Sequence, residues 1–381
     1  VRWKAVLVGH GTSSPIVAAG RVFVTGQRGT NPTDQRGAQF PGTRPATLLP
    51  RDTEDVLLVV QALDLENGES VWTHEFAAEA PLPAVHRNHS WATPSVVTNG
   101  HAVFAWFGTG QLVALDLDGQ LLWTRHIGRD YQPFDLLWGH GSSPMLYDDL
   151  IVLQCDHPPD GYLLALDAET GRERWRIDRR AAGRSYSTPV VITHDRRDEL
   201  IVNSGRQIDA FDPRTGTPLW RAGGPVELAV GMPVYRRGIL YSTRGYSSSP
   251  YLAVAVGGAG DVSDTHVQWR SATGAPYVSS LLLHDDLLYM ASENGILTVT
   301  DAASGEVLSR SRLGGVFTAS PIFAAGHIYF LNEGGDTVVL RPGPQPEVVA
   351  RNTLGERTLA SPAAVDGTIL IRSDQHLYCI E

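Results

Sequence analysis

Short apolar runs separated by Asp, Gly and Pro recur along the whole chain, and the stretch from Gly139 to Asp178 displays the unit most plainly. SSPMLY is followed by the turn Asp148-Asp149 and the apolar run LIVLQC. A polar loop through His157 leads to LLALD, and the turn AETG reverses the chain into the alternating run RERWRI. Strands of this length between turn residues predict an antiparallel meander. One meander cannot bury both of its faces, so neighbouring copies are expected.

The copies are present. A Ser/Thr-Pro lead-in to the first strand recurs at Ser14-Pro15, Thr93-Pro94, Ser143-Pro144, Thr188-Pro189, Ser320-Pro321 and Ser361-Pro362. Weaker versions stand at Met232-Pro233 and Ser279-Ser280, which brings the set to eight. The turn between third and fourth strands recurs at Asp64, Asp116, Asp167, Asp212 and Asp301, followed in most copies by Trp72, Trp123, Trp175, Trp220 or Trp269. After a longer first gap the lead-ins lie 41 to 50 residues apart, the length of a four-stranded propeller blade.

The eighth copy ends at HLYCIE without a fourth strand, whereas the chain begins with VRWKAVL, a Trp-bearing strand without preceding partners. Val1 to Leu7 is therefore expected to complete the last blade and close the ring, which removes exposed sheet edges. The predicted fold is all-β: one eight-bladed propeller domain spanning residues 1–381. Residues 27–57 interrupt blade 1 with a Gly/Pro/Arg-rich insertion. Loops of this length are functional or disordered, so it is read as a lid over the central channel or as a mobile loop.

Composition changes this picture little. The 39 glycines and 24 prolines suit many turns, and no amphipathic helical run of useful length is found. The net charge of −10 comes without a basic stripe, which argues against a nucleic-acid partner. No apolar run is long enough to cross a bilayer as a helix. Cys155 and Cys379 fall in strand-like runs and are expected as two buried thiols. Because Val1 is assigned to the last blade, no signal peptide is expected within this sequence.

The patterns ALDAETGRERW at 165–175 and AFDPRTGTPLW at 210–220 resemble the PQQ-type propeller repeat. That repeat occurs in quinoprotein alcohol dehydrogenases and in outer-membrane assembly lipoprotein propellers, and the whole chain is similar to PQQ-binding-like β-propeller repeat proteins. The resemblance implies the propeller fold and a periplasmic or secreted location. For function it is weak, because the motif consists of turn and packing residues. Quinoprotein dehydrogenases typically carry a disulfide between adjacent cysteines, an Asp base and a calcium site. This chain has no adjacent cysteine pair, and PQQ is not expected as its cofactor.

Residues just before each lead-in should ring the channel. They are His10, His89, His140, Arg184, Glu227, Tyr277, Phe317 and Arg357, joined by His86, Asp156, His157, Arg206, Arg244, Tyr246, Glu293 and His376 from neighbouring segments. His10, His89 and His140 precede three consecutive blades at nearly equivalent positions, an arrangement that would gather three imidazoles around a catalytic metal. Zn, Mn, Fe, Cu or Ni would suit such ligands. Two alternatives stand beside this reading: a metal-free polar site and no small-molecule site at all. In a polar site His157 or Tyr277 would move a proton, with Glu227 nearby and Arg184 and Arg357 neutralising charge.

The leading expectation is a metal-assisted hydrolase or lyase, monomeric, acting on a small-molecule or carbohydrate-derived substrate. A non-catalytic binding or assembly scaffold is the alternative, and a PQQ-dependent dehydrogenase the third reading.

Overall fold

The computed structural model describes residues 1–29, 55–79, 82–83, 85–86, 88–134, 136, 138–224, 226, 228–246 and 249–381. Its strands form eight sheets, each built on four antiparallel strands, arranged as an eight-bladed β-propeller. Blade 1 runs from Ile16 to Ala77, blade 2 from Val97 to His126, blade 3 from Met145 to Asp178 and blade 4 from Val190 to Ala222. Blades 5, 6 and 7 span Val234 to Ser271, Leu282 to Arg312 and Ile322 to Thr353. Blade 8 combines Ala363 to Ile380 with the N-terminal strand Trp3–Val6, which pairs with His376–Ile380 as expected. Among the described residues the only α-helix is the single turn Ile127–Asp130.

The chain falls into two compact units, residues 1–151, 167–172 and 363–381 in one, residues 152–166 and 173–362 in the other. In the first, a core built on Phe23, Trp91, Val103 and Phe107 joins blades 1 and 2, and Trp3, Val22, Leu370 and Leu377 form a second core. In the second, Ile201, Trp220 and Leu240 join blades 4 and 5, Tyr251 and Leu288 join 5 and 6, and Tyr289, Phe317 and Phe330 join 6 and 7. Middle strands are buried on both sides, as at Ala102–Trp106, whereas outer strands such as Glu173–Asp178 alternate with solvent. That contrast is why the former read as continuous apolar runs and the latter as alternating ones.

The repeat motif has a local cause. Asp167 Oδ1 accepts the Thr170 amide at 2.8 Å, and Gly171 at φ 67° completes the turn where a side chain would be strained. A Cβ on Gly171 would also stand 2.8 Å from the Trp123 ring, and Trp123 Nε1 donates to the Ala168 carbonyl at 3.0 Å. The tryptophan of one blade thus rests on the turn glycine of the next. Trp3 on Gly68, Trp72 on Gly119, Trp175 on Gly216 and Trp269 on Gly305 repeat the contact.

Trp220 is the exception. Blade 5 has no such turn, and the Trp220 indole donates instead to Glu199 Oε2 at 2.7 Å. The long connection in blade 5 supplies Gly260–Asp261, which pairs parallel with Trp220–Arg221 and gives sheet 4 a fifth strand.

Two sequence registers are corrected. In blade 2 the first strand begins at Val97, so Ser95 rather than Thr93 matches Ser14 before Ile16 and Ser143 before Met145. In blade 1 the strand Arg21–Arg28 pairs through to Leu57, so the insertion begins at Gly29 rather than at residue 27. Its residues 30–54, and with them the expected lid, lie outside the described residues.

Candidate functional site

Ser95, Ser143, Ser280, Ser320 and Ser361 have a common task. The Ser14 amide donates to Ser95 Oγ at 2.8 Å and the Ser95 amide to Ser143 Oγ at 2.9 Å. In the second unit Met232 donates to Ser280, Ser280 to Ser320 and Ser320 to Ser361, all at 2.8–3.0 Å. Each hydroxyl accepts the main-chain amide of the preceding blade, which fixes one blade against the next through an otherwise unpaired N–H.

Measured against this belt, the three histidines are out of register. His10, His89 and His140 stand 14 − 10 = 4, 95 − 89 = 6 and 143 − 140 = 3 residues before their belt serines. His10 exchanges both main-chain hydrogen bonds with Gln27. His140 is buried, lies 3.9 Å from Trp106 and 4.8 Å from Phe134 between ring centroids, and shares its Nε2 with the Ser142 carbonyl. His89 sits against Gly141, its pKa lowered to about 4 by burial and by His86. Among the described residues no three His, Cys, Asp or Glu side chains are grouped so as to hold a metal ion.

Tyr277 and Val278 donate their amides to Glu293 Oε1 at 2.8 and 3.0 Å, and the Tyr277 ring meets Tyr246 edge-on at 5.0 Å. His157 is buried edge-on to Tyr162, Arg184 is partly buried and Arg357 is exposed. Glu227 lies outside the described residues.

What the second unit does assemble is a buried polar network that joins blades 3, 4 and 5. Arg179 grips Asp156 with two hydrogen bonds of 2.7 and 2.9 Å and reaches Asp209 Oδ2 at 3.0 Å. Gln154 donates to Asp156 and to the Asn203 carbonyl; Asn203 in turn donates to the carbonyls of Gly231 and Thr243. Arg244 closes the set on Asn203 Oδ1 and the carbonyls of Ser204 and Gly224.

Burial works against the charge on Arg179, yet the two aspartates outweigh it and raise its pKa. Arg244 has no carboxylate of its own, and burial lowers it to about 10 despite the nearby Asp209. The first unit has a counterpart in Arg372, which donates to the Ser13 carbonyl and hydroxyl and is lowered to about 9, again by burial. Arg244 and Arg372 bind main-chain atoms across blade junctions and Arg179 binds two carboxylates, an arrangement that locks geometry.

Sequence reasoning picked out Asp156 and Arg244 but missed Arg179, Asp209, Gln154 and Asn203. Arg179 lies in the charged run RIDRR and Asp209 in QIDAFD, neither of which departs from an ordinary solvated face.

All the repeat tryptophans but Trp220 are engaged on blade turns, and Cys155 and Cys379 are separate, buried free thiols. Burial raises the Cys155 thiol well above its ordinary value.

Comparison with known proteins agrees with the repeat. A family model described as Outer membrane protein assembly factor BamB matches residues 1–132, 58–298 and 204–342. The chain is 19% identical over 315 residues to the outer membrane protein assembly factor BamB of Yersinia pestis, covering 82% of this chain and 66% of that protein. It thus spans slightly less than two thirds of that relative's length. Among solved structures, BamB from Moraxella catarrhalis superposes with a TM-score of 0.63 at 15% identity, over 99% of this chain and 97% of that one. Quinohemoprotein alcohol dehydrogenase from Comamonas testosteroni gives 0.68 at 12% identity, over 100% and 76%. At such identities the structures speak for the fold alone. The family model, which reaches across residues 1–342, decides the membership: the chain belongs to the outer membrane protein assembly factor BamB family of PQQ-like repeat propellers.

Proposed function

We propose that the chain is a non-catalytic scaffold that supports outer-membrane protein assembly from the periplasmic side, with proteins rather than small molecules as its partners. The family match over residues 1–342 carries this reading. Two features support it. The charged groups buried at blade junctions are tied to main-chain atoms or to one another. The Glu293 carboxylate is likewise engaged by main-chain amides, those of Tyr277 and Val278. The metal-assisted hydrolase or lyase expectation lacks a gathered ligand set among the described residues. Among them no helix is long and apolar enough to cross a membrane.

The test is a deletion strain complemented with the wild-type chain or with a His10→Ala/His89→Ala/His140→Ala variant. Loss of the chain should lower the amount of folded β-barrel protein in the outer membrane, and both versions should restore it. Rescue by the wild type alone, with the variant stably produced, would return the weight to a histidine-dependent activity.

A further inference from the structure

Between the end of blade 3's outer strand and the face of blade 4 lies a groove of about 890 Å³, lined entirely by residues of the second unit. That volume falls within the range that accommodates a peptide segment or small ligand. Phe211 and Trp220 form buried parts of its lining, with Leu219 beside them, and Arg180, Arg206 and Arg221 are exposed around it. Four of its 17 lining residues are arginine and three are aspartate, a local excess of 4 − 3 = +1 in a chain whose net charge is −10.

The arginines differ in how firmly they are engaged. Arg179 belongs to the buried network. Arg180 makes exposed bridges of 3.2 Å to Asp160 and Asp178, and Arg221 an exposed bridge of 3.1 Å to Asp261. Exposed pairs contribute little and exchange readily for another carboxylate. The Arg206 guanidinium has no ion pair among the described residues, its amide alone being held by Ser204 Oγ.

The chain itself demonstrates what this surface accepts. Its segment Gly260–Val262 lies extended beside Trp220 and Arg221 in parallel pairing. The Asp261 carboxylate meets Arg221, the Val262 amide donates to the Arg221 carbonyl at 2.9 Å, and the Val262 side chain is buried in the core with Trp220. A carboxylate on a guanidinium, followed by an apolar side chain in the core, is thus a combination already seated along one wall. The side of the groove carrying Arg180 and Arg206 offers the same chemistry to a second segment.

We propose that this groove is a docking site for an extended acidic segment of a partner protein, its carboxylates on Arg206 and Arg180 and an interleaved apolar side chain against Leu219 and Pro218. The inference rests on the scaffold reading for the nature of the occupant, and its test is independent of the cellular assay. A fluorescein-labelled peptide of alternating Glu and Val is titrated with the full chain, and anisotropy is read at low and high salt. Saturable binding is expected, weakened about tenfold or more by Arg206→Glu and by high salt. It should be lost with Ala181→Trp, which fills the groove without changing charge, and kept in Arg237→Glu, an exposed arginine outside the groove.

A peptide of alternating Lys and Val should not bind. Absence of saturable binding overturns the proposal. So does binding that survives Ala181→Trp, or that falls equally with Arg237→Glu, since diffuse charge attraction would then suffice. Any of these results leaves outer-membrane assembly to be decided in cells.

Discussion

Most of blade 3, with blades 4 and 5, and blades 6 and 7 lie in one compact unit, yet they join in opposite ways. In the former the inner strands present Gln154 and Asn203 to the next blade, and Asp156, Arg179, Asp209 and Arg244 complete a buried polar network. At the matching positions the latter place Ala291 and Leu331, both buried, and Phe317 and Phe330 meet edge-on at 6.1 Å. The repeat therefore fixes how blades are spaced, while the chemistry of each junction is free to vary. An apolar junction gains by removing surface from water. A polar one gains little net energy but tolerates few alternative packings, because every misplacement leaves a buried charge unpaired.

The largest expected effect tests that difference directly. Arg179→Ala strands Asp156 and Asp209 and should cost about 3–5 kcal/mol in denaturant unfolding. Leu331→Ala should cost about 2–5 kcal/mol through lost burial and a residual cavity. Their repair separates the two junctions. The combined variant Asp156→Leu/Arg179→Met/Asp209→Leu should recover most of the Arg179→Ala loss, since an apolar replacement of a buried ionic set is often neutral or stabilising. If Arg179→Ala costs less than about 1 kcal/mol, the network does not hold the junction and the contrast fails.

The next effect concerns pH and belongs to the first unit. His89 is held near pKa 4 by burial and by His86, below its ordinary 6.5. Between those values the unfolded chain binds the proton and the folded chain does not, so stability is full above about pH 6.5 and falls as pH drops towards 4. A displacement of that size corresponds to a loss of about 3 kcal/mol at most. Urea midpoints at pH 7 and pH 4.5 for the wild type and His89→Gln measure it, and an unchanged pH slope in the variant would assign the effect to another group.

Smallest is the belt. Ser280→Ala removes the acceptor of the Met232 amide and should cost about 1 kcal/mol, with native-state hydrogen exchange faster at Met232 than in the wild type.

The fold was legible because its causes are local. Asp–Gly turns, tryptophans that need a glycine to rest on and continuous apolar runs each require particular residues at fixed spacing, so eight copies and the closing strand could be counted before any coordinates. Where the local signal was degenerate the reading slipped: Thr93-Pro94 and Ser95 both resemble a lead-in, and only the pairing of Val97 shows that Ser95 carries the belt hydroxyl. The candidate site was far less legible. His10, His89 and His140 look equivalent when counted from the prolines, but they stand at different distances from the belt serines, and packing sets His140 against Trp106 and Phe134.

Arg179 and Asp209, by contrast, gave no sign of the network they share, since nothing between RIDRR and QIDAFD specifies that two charges will be taken out of water together. The sequence by itself determined the number of blades, the closure of the last and the absence of an adjacent-cysteine pair, all of which depend on neighbours along the chain. Only the tertiary structure decided which polar side chains lock junctions and where a groove remains, because those outcomes depend on distances between segments that the linear order does not set.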